Sequence, residues 1–182
     1  MANPDALNQQ RASNRLLQPT VKSHLAYTLL CALVMMVMLS LLRLGLLVYN
    51  SDMMLDTPAS TFLEAFVNGL RLDLRLVVYL SIPLILALFS VRAMAARGFF
   101  RLWLTVVSSI ALFLGLMEMD FYREFHQRLN GLVFQYIKED PKTVTSMLWY
   151  GFPVVRYLLA WVVGTVILTL AFKGADRATR PR

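Results

Sequence analysis

Cysteine and histidine are scarce in this chain. One cysteine and two histidines occur in 182 residues. The single Cys31 excludes an intrachain disulfide and leaves the redox compartment unreadable. It lies inside an apolar run, where a thiol packs as a small hydrophobe. His24 sits at an inner edge and His126 in an outer loop, so two histidines at one depth are not there to hold a haem. A metal on His126 with Glu118 and Asp120 is conceivable, but His126 lies six residues past Asp120, more than one and a half helical turns away. It reads as an exposed interfacial histidine. No Walker loop, GxSxG, HExxH or CxxC occurs. No acid stands at the centre of an apolar run, which argues against an ion or proton pathway. No polar stretch reaches the roughly 50 residues that a water-soluble domain needs for its own core.

What is present is apolar length. The composition is 58% hydrophobic and the mean hydropathy is +0.58. Apolar runs cover Leu25 to Val48, Leu76 to Val91, Leu102 to Met117 and Met147 to Phe172. With flanking turns, each matches the length a helix needs to cross about 30 Å of hydrocarbon. Lipid offers no hydrogen bonds to the backbone, so such runs must be helical. They are too long for barrel strands and lack the alternation those require. The first run is too long for a cleaved signal peptide and reads as an uncleaved signal anchor. The expected fold is an all-α, polytopic membrane helix bundle. It has four transmembrane helices, at 25–48, 74–91, 99–117 and 147–172, within a membrane domain at 23–172. Residues 1–22 and 173–182 are expected to be tails.

The net charge of +7 is unevenly distributed. Arg11, Arg15, Lys22, Arg92, Arg97, Arg101, Lys173, Arg177, Arg180 and Arg182 fall in the two tails and the middle turn, against only Asp5 and Asp176. In the other two loops acids outnumber bases. Short loops rich in Lys and Arg stay cytoplasmic, so both termini are expected inside. The high pI then reflects topology and anionic lipid; no basic-aromatic module points to nucleic acid. Arg43 and Arg156, within the spans, are expected to snorkel to an interface.

Two outer segments carry amphipathic patterns. Phe62, Phe66, Leu70 and Leu74 share one face, and Glu64, Asn68, Arg71 and Arg75 another. Ser60 or Thr61 is the expected cap, with Glu64 following. Asp73 enters the apolar side, which is costly unless it is paired; Arg43 or a cation of the second outer loop is the expected partner. After Glu118, the residues Phe121, Phe125, Leu129, Leu132 and Tyr136 form a second stripe, until Asp140-Pro141 ends it. Both segments read as interfacial helices at the outer surface. Arg71, Arg75, Arg123 and Arg128 alternate there with Asp73, Glu118, Asp120 and Glu124. This collar pins the two helices together by ion pairs, or it cradles a lipid phosphate with guanidinium forks.

Two stretches carry a resemblance. FLEAFVNGLRLDLRLVVYLSIPLIL (Phe62 to Leu86) holds a G-x-R-x-D element, Gly69, Arg71 and Asp73. EMDFYREFHQRLNGLVFQYIKEDPKTV (Glu118 to Val144) holds an F-x-x-R-x-N core, Phe125, Arg128 and Asn130. Together they resemble the N-terminal membrane domain of the sulfatase-fold phosphoglycerol transferases, which include the lipoteichoic acid synthases. The resemblance covers about residues 25 to 172 and implies a bacterial inner-membrane location and a phosphatidylglycerol-type lipid at the outer face. It implies headgroup contacts from Arg71, Asp73, Arg75, Arg123, Arg128 and Asn130. Family members have five membrane helices and then an outer catalytic domain with a threonine nucleophile and Mn2+. This chain has four runs, so none of those catalytic or metal residues carries over. The expectation is a domain cut off before its catalytic half, without turnover or cofactor of its own, whose partner is a sulfatase-like domain in cis or in trans. The rival expectation is a small stand-alone multi-pass membrane protein, a transporter subunit or assembly factor.

Overall fold

The computed structural model describes residues 20–54, 58–125 and 153–180, together with 142, 146 and 149–151. The first helix, α1, is Val21–Tyr49. The Thr20 hydroxyl caps it by accepting from the Ser23 amide at 3.2 Å, which satisfies one orphan donor of the first turn. At 1.5 Å per residue its 29 residues extend about 44 Å. Asn50 closes it, with its backbone and side-chain amides both donating to Leu46 O, at 3.1 and 3.0 Å.

A 3₁₀ turn, Ser51–Met54, precedes α2, Ala59–Leu86. Helix α2 starts immediately after Pro58, which is extended and makes no side-chain cap. The amides of Thr61 and Phe62 turn back to Pro58 O, so the expected cap at Ser60 or Thr61 is not used. The ring of Pro58 fixes the entry instead. The first outer segment runs without a break into the second span as one continuous helix. Pro83 removes one internal hydrogen bond near the far end of α2, and the helix tightens into the 3₁₀ turn Ala87–Phe89. There His24 Nε2 donates to Leu84 O at 2.9 Å. A carbonyl only accepts, so Nε2 carries the proton, and α1 thereby caps the end of α2.

Short α3, Val91–Ala95, leads to α4, Arg97–Phe125, and the last helix is α5, Val154–Thr179. Helix α4 continues past Met117, where the apolar run ends. Helix α5 continues past Phe172, so 173–179 is helix where a tail was expected. Among the described residues, four helices are long and apolar enough to cross a membrane: Val21–Tyr49, Ser60–Phe89, Arg97–Arg123 and Val154–Thr179. This is an all-α, multi-pass membrane protein. Leu33, Leu41, Ile110, Leu159 and Leu170 are exposed on its flanks, which suits lipid as the solvent.

Val21, Leu84, Arg97 and Thr179 meet at one end, here termed the base. Tyr49, Asp73, Asp120 and Arg123 mark the other, the crown. Tyr27, Cys31, Met35, Leu84, Leu104 and Phe172 form the buried core. Helices α4 and α5 close tightly because Gly164 is small: a Cβ there would lie 2.5 Å from Leu112 Cδ2. Polar contacts add to this seam. Ser109 Oγ and Thr165 Oγ1 are 2.9 Å apart, and Trp161 Nε1 donates to Ser109 O at 3.0 Å.

Candidate functional site

At the crown, Asp73 is 9% exposed and meets Arg43 of α1. Arg43 Nη2 donates to Asp73 Oδ1 at 2.8 Å, and Nη1 donates to Phe66 O at 3.3 Å. The guanidinium lies 5.8 Å from the Phe66 ring centroid, so it also makes a cation–π contact. Arg43 is the partner expected for Asp73. It does not snorkel: an acid at the same depth holds it inside, and pairing spares both groups the cost of isolation in an apolar setting.

Gly69 makes this pair possible. A Cβ on it would lie 2.1 Å from Arg43 Cζ. The glycine of the G-x-R-x-D element is thus the floor on which the guanidinium rests. Gly69→Ala is expected to expel Arg43 from Asp73 and Phe66 O and to destabilise the protein by about 1–3 kcal/mol. Reversible unfolding in bicelles checks this; an unchanged midpoint means that the guanidinium does not need the space.

Arg71 and Arg75 take no part in that pair. Two residues along a helix is a rotation of about 200°, so both point away from Asp73, side by side one turn apart. Both are exposed, and neither has an ion-pair partner among the described residues. The expected cluster of Arg71, Asp73 and Arg75 is therefore split across two faces of α2. Arg123 is placed apart: its Nη2 meets Asp52 Oδ2 at 3.3 Å, and its guanidinium lies 5.4 Å from the Tyr49 ring centroid. Asp120, next to it, accepts from Tyr49 Oη at 2.6 Å. Arg128, Asn130 and His126 lie outside the described residues.

Beside the Arg43–Asp73 pair a cleft of about 640 Å³ opens between α1, α2 and α4. Arg43, Asp73 and Glu118 line its crown end, and Leu39, Leu76, Leu80, Val107, Ile110 and Leu114 line the rest. Leu76, Ile110 and Leu114 are exposed, so the cleft opens sideways to lipid.

The base holds a second, denser polar cluster. Asp176 of α5 is 1% exposed. It receives Arg97 Nη1 at 3.3 Å, Arg101 Nη1 at 3.5 Å and Arg180 Nη2 at 2.8 Å. Arg97 Nη2 also donates to Ser23 Oγ at 2.6 Å, and Ser23 Oγ in turn donates to Thr179 O. The Arg97 guanidinium stacks 5.1 Å from the Tyr27 ring centroid. One acid thus joins α1, α4 and α5. Its hydrogen bond, and then its charge, raise the Arg180 guanidinium above its ordinary value. The sequence reading counts Asp176 only as one acid among the inner cations. Its signal is the i, i+4 spacing to Arg180.

No protein-family model matches this chain, and no solved structure does either. Among the described residues no three His, Cys, Asp or Glu side chains are grouped to hold a metal ion.

Proposed function

We propose that this chain is the membrane-anchoring and lipid-orienting domain of a phosphoglycerol transferase-like protein of the sulfatase family. It stands in a bacterial inner membrane, with the base and both termini in the cytoplasm. Its lipid is of the phosphatidylglycerol type at the outer face. The chemistry belongs to a sulfatase-like domain, in cis or in trans. The G-x-R-x-D and F-x-x-R-x-N elements support the family reading. The excess of arginine and lysine at the base supports the orientation.

The observation that carries the lipid role is the exposed pair Arg71 and Arg75. Two guanidiniums without an ion-pair partner among the described residues, one turn apart near the crown end of a spanning helix, offer parallel donors at phosphate depth. Each cation near an anionic lipid surface contributes about 1 kcal/mol. Arg71→Gln with Arg75→Gln is therefore expected to weaken association with phosphatidylglycerol roughly thirtyfold. Lipid partitioning in mixed nanodiscs measures this. Unchanged partitioning by a folded double variant removes the headgroup role and leaves an anchor.

A further inference from the structure

The cleft between α1, α2 and α4 is graded from end to end. Its α4 wall runs from Val107 to Glu118, about 16 Å at 1.5 Å per residue. That is the depth of one leaflet of a bilayer whose hydrocarbon core is about 30 Å thick. The volume, about 640 Å³, lies within the roughly 300–1,000 Å³ range of ligand pockets. The wall is apolar over most of this depth and turns polar only at the crown, where a lipid carries its head group.

The polar end has a definite charge pattern: one guanidinium, Arg43, and two carboxylates, Asp73 and Glu118. Asp73 uses Oδ1 for Arg43, while its buried Oδ2 has no hydrogen-bond partner among the described residues. A buried acceptor without a donor costs about 1–3 kcal/mol, more when charged. The terminal torsion of an aspartate is broad, so a small rotation turns Oδ2 into the cleft that its side chain already lines. Arg43 spends two N–H groups on Phe66 O and Asp73. A guanidinium has five, so donors remain for a phosphate oxygen. A head group with phosphate alone answers Arg43 and leaves Asp73 Oδ2 without a donor. A head group that adds a primary ammonium to the phosphate matches the Arg43–Asp73 pair charge for charge. Trimethylated nitrogen supplies the charge but no N–H donor.

We propose that this cleft holds one chain of a phospholipid with a primary ammonium head. Its phosphate lies on Arg43 and its ammonium on Asp73 Oδ2. This site lies on the opposite face of α2 from Arg71 and Arg75 and does not depend on the transferase reading. The bound molecule is a resident lipid that fills the gap between α2 and α4.

The test uses the full chain in nanodiscs of phosphatidylethanolamine, phosphatidylcholine and phosphatidylglycerol with matched acyl chains. Native mass spectrometry then counts the lipid retained. Phosphatidylethanolamine is expected to be retained about tenfold over phosphatidylcholine, the effect of one charge-assisted hydrogen bond. Asp73→Asn keeps the side chain's shape and is expected to bring that ratio close to one. Ile110→Trp fills the apolar part without touching the ion pair and is expected to abolish retention, while circular dichroism shows intact helix. Equal retention of the ethanolamine and choline lipids overturns the proposal. So does a preference that survives Asp73→Asn, or retention that survives Ile110→Trp. Preferred retention of phosphatidylglycerol overturns the ammonium assignment. A loss of phosphatidylglycerol confined to the Arg71 and Arg75 double variant bears only on the transferase reading.

Discussion

Asp176→Ala is expected to destabilise the bundle by about 3–5 kcal/mol, the penalty for leaving a buried charge without its partner. The variant strands Arg97, whose side chain is 7% exposed and packed over Tyr27. Arg101 and Arg180 are better exposed and can turn to water or lipid phosphate. The effect thus falls mainly on Arg97 and on the seam that it closes between α4 and α5. On the scale of a protein this size, the midpoint of thermal unfolding drops by on the order of 10 °C. Asp176→Asn retains an acceptor oxygen and is expected to lose less, about 1.5–3 kcal/mol. Unfolding in bicelles, followed by circular dichroism, separates the two variants. If both match the parent, the basal cluster contributes nothing to stability.

The crown pair is expected to behave as a unit. Arg43→Met leaves the Asp73 carboxylate buried and alone, and Asp73→Leu does the same to Arg43. Each single change is expected to cost about 3 kcal/mol. The double change removes both charges and fills their space with apolar atoms. It is expected to lie within about 1 kcal/mol of the parent, since a well-packed hydrophobic replacement of a buried ion pair is often neutral. The coupling in this cycle then comes to about 5 kcal/mol, above the usual range for contacting residues, because each single change strands a buried charge. Additive single effects mean that the two side chains do not depend on each other. Headgroup selectivity in the cleft is lost in the double variant even where stability returns, which separates the pair's two roles.

The spans were legible because apolar length is a direct readout of bilayer thickness. The partner of Asp73 was legible as well, since an acid on an apolar face demands a cation and Arg43 stood at a comparable depth. Helix ends were less so. Hydropathy marks where apolar residues stop, whereas hydrogen bonding continues through Glu118 to Phe125 and through Lys173 to Thr179. The basal cluster was not read from sequence because Ser23, Arg97 and Asp176 lie far apart along the chain and meet only through packing. The split of Arg71 and Arg75 from Asp73 was within reach of simple helical arithmetic. Treating the charged segment as one collar concealed it. The cleft itself depends on how far α2 stands from α4, and no local pattern encodes that distance.

Ser23 and Thr179 touch across 156 positions of sequence, and the counter-ion of Arg97 arrives on α5, after the other three described spans. A nascent chain with only three helices inserted presents an unsatisfied guanidinium beside an open groove. Insertion of α5, rather than of any earlier helix, is then the event that closes this end of the bundle. A chain stalled before Asp176 remains open at the side where surveillance proteases of the membrane would find it.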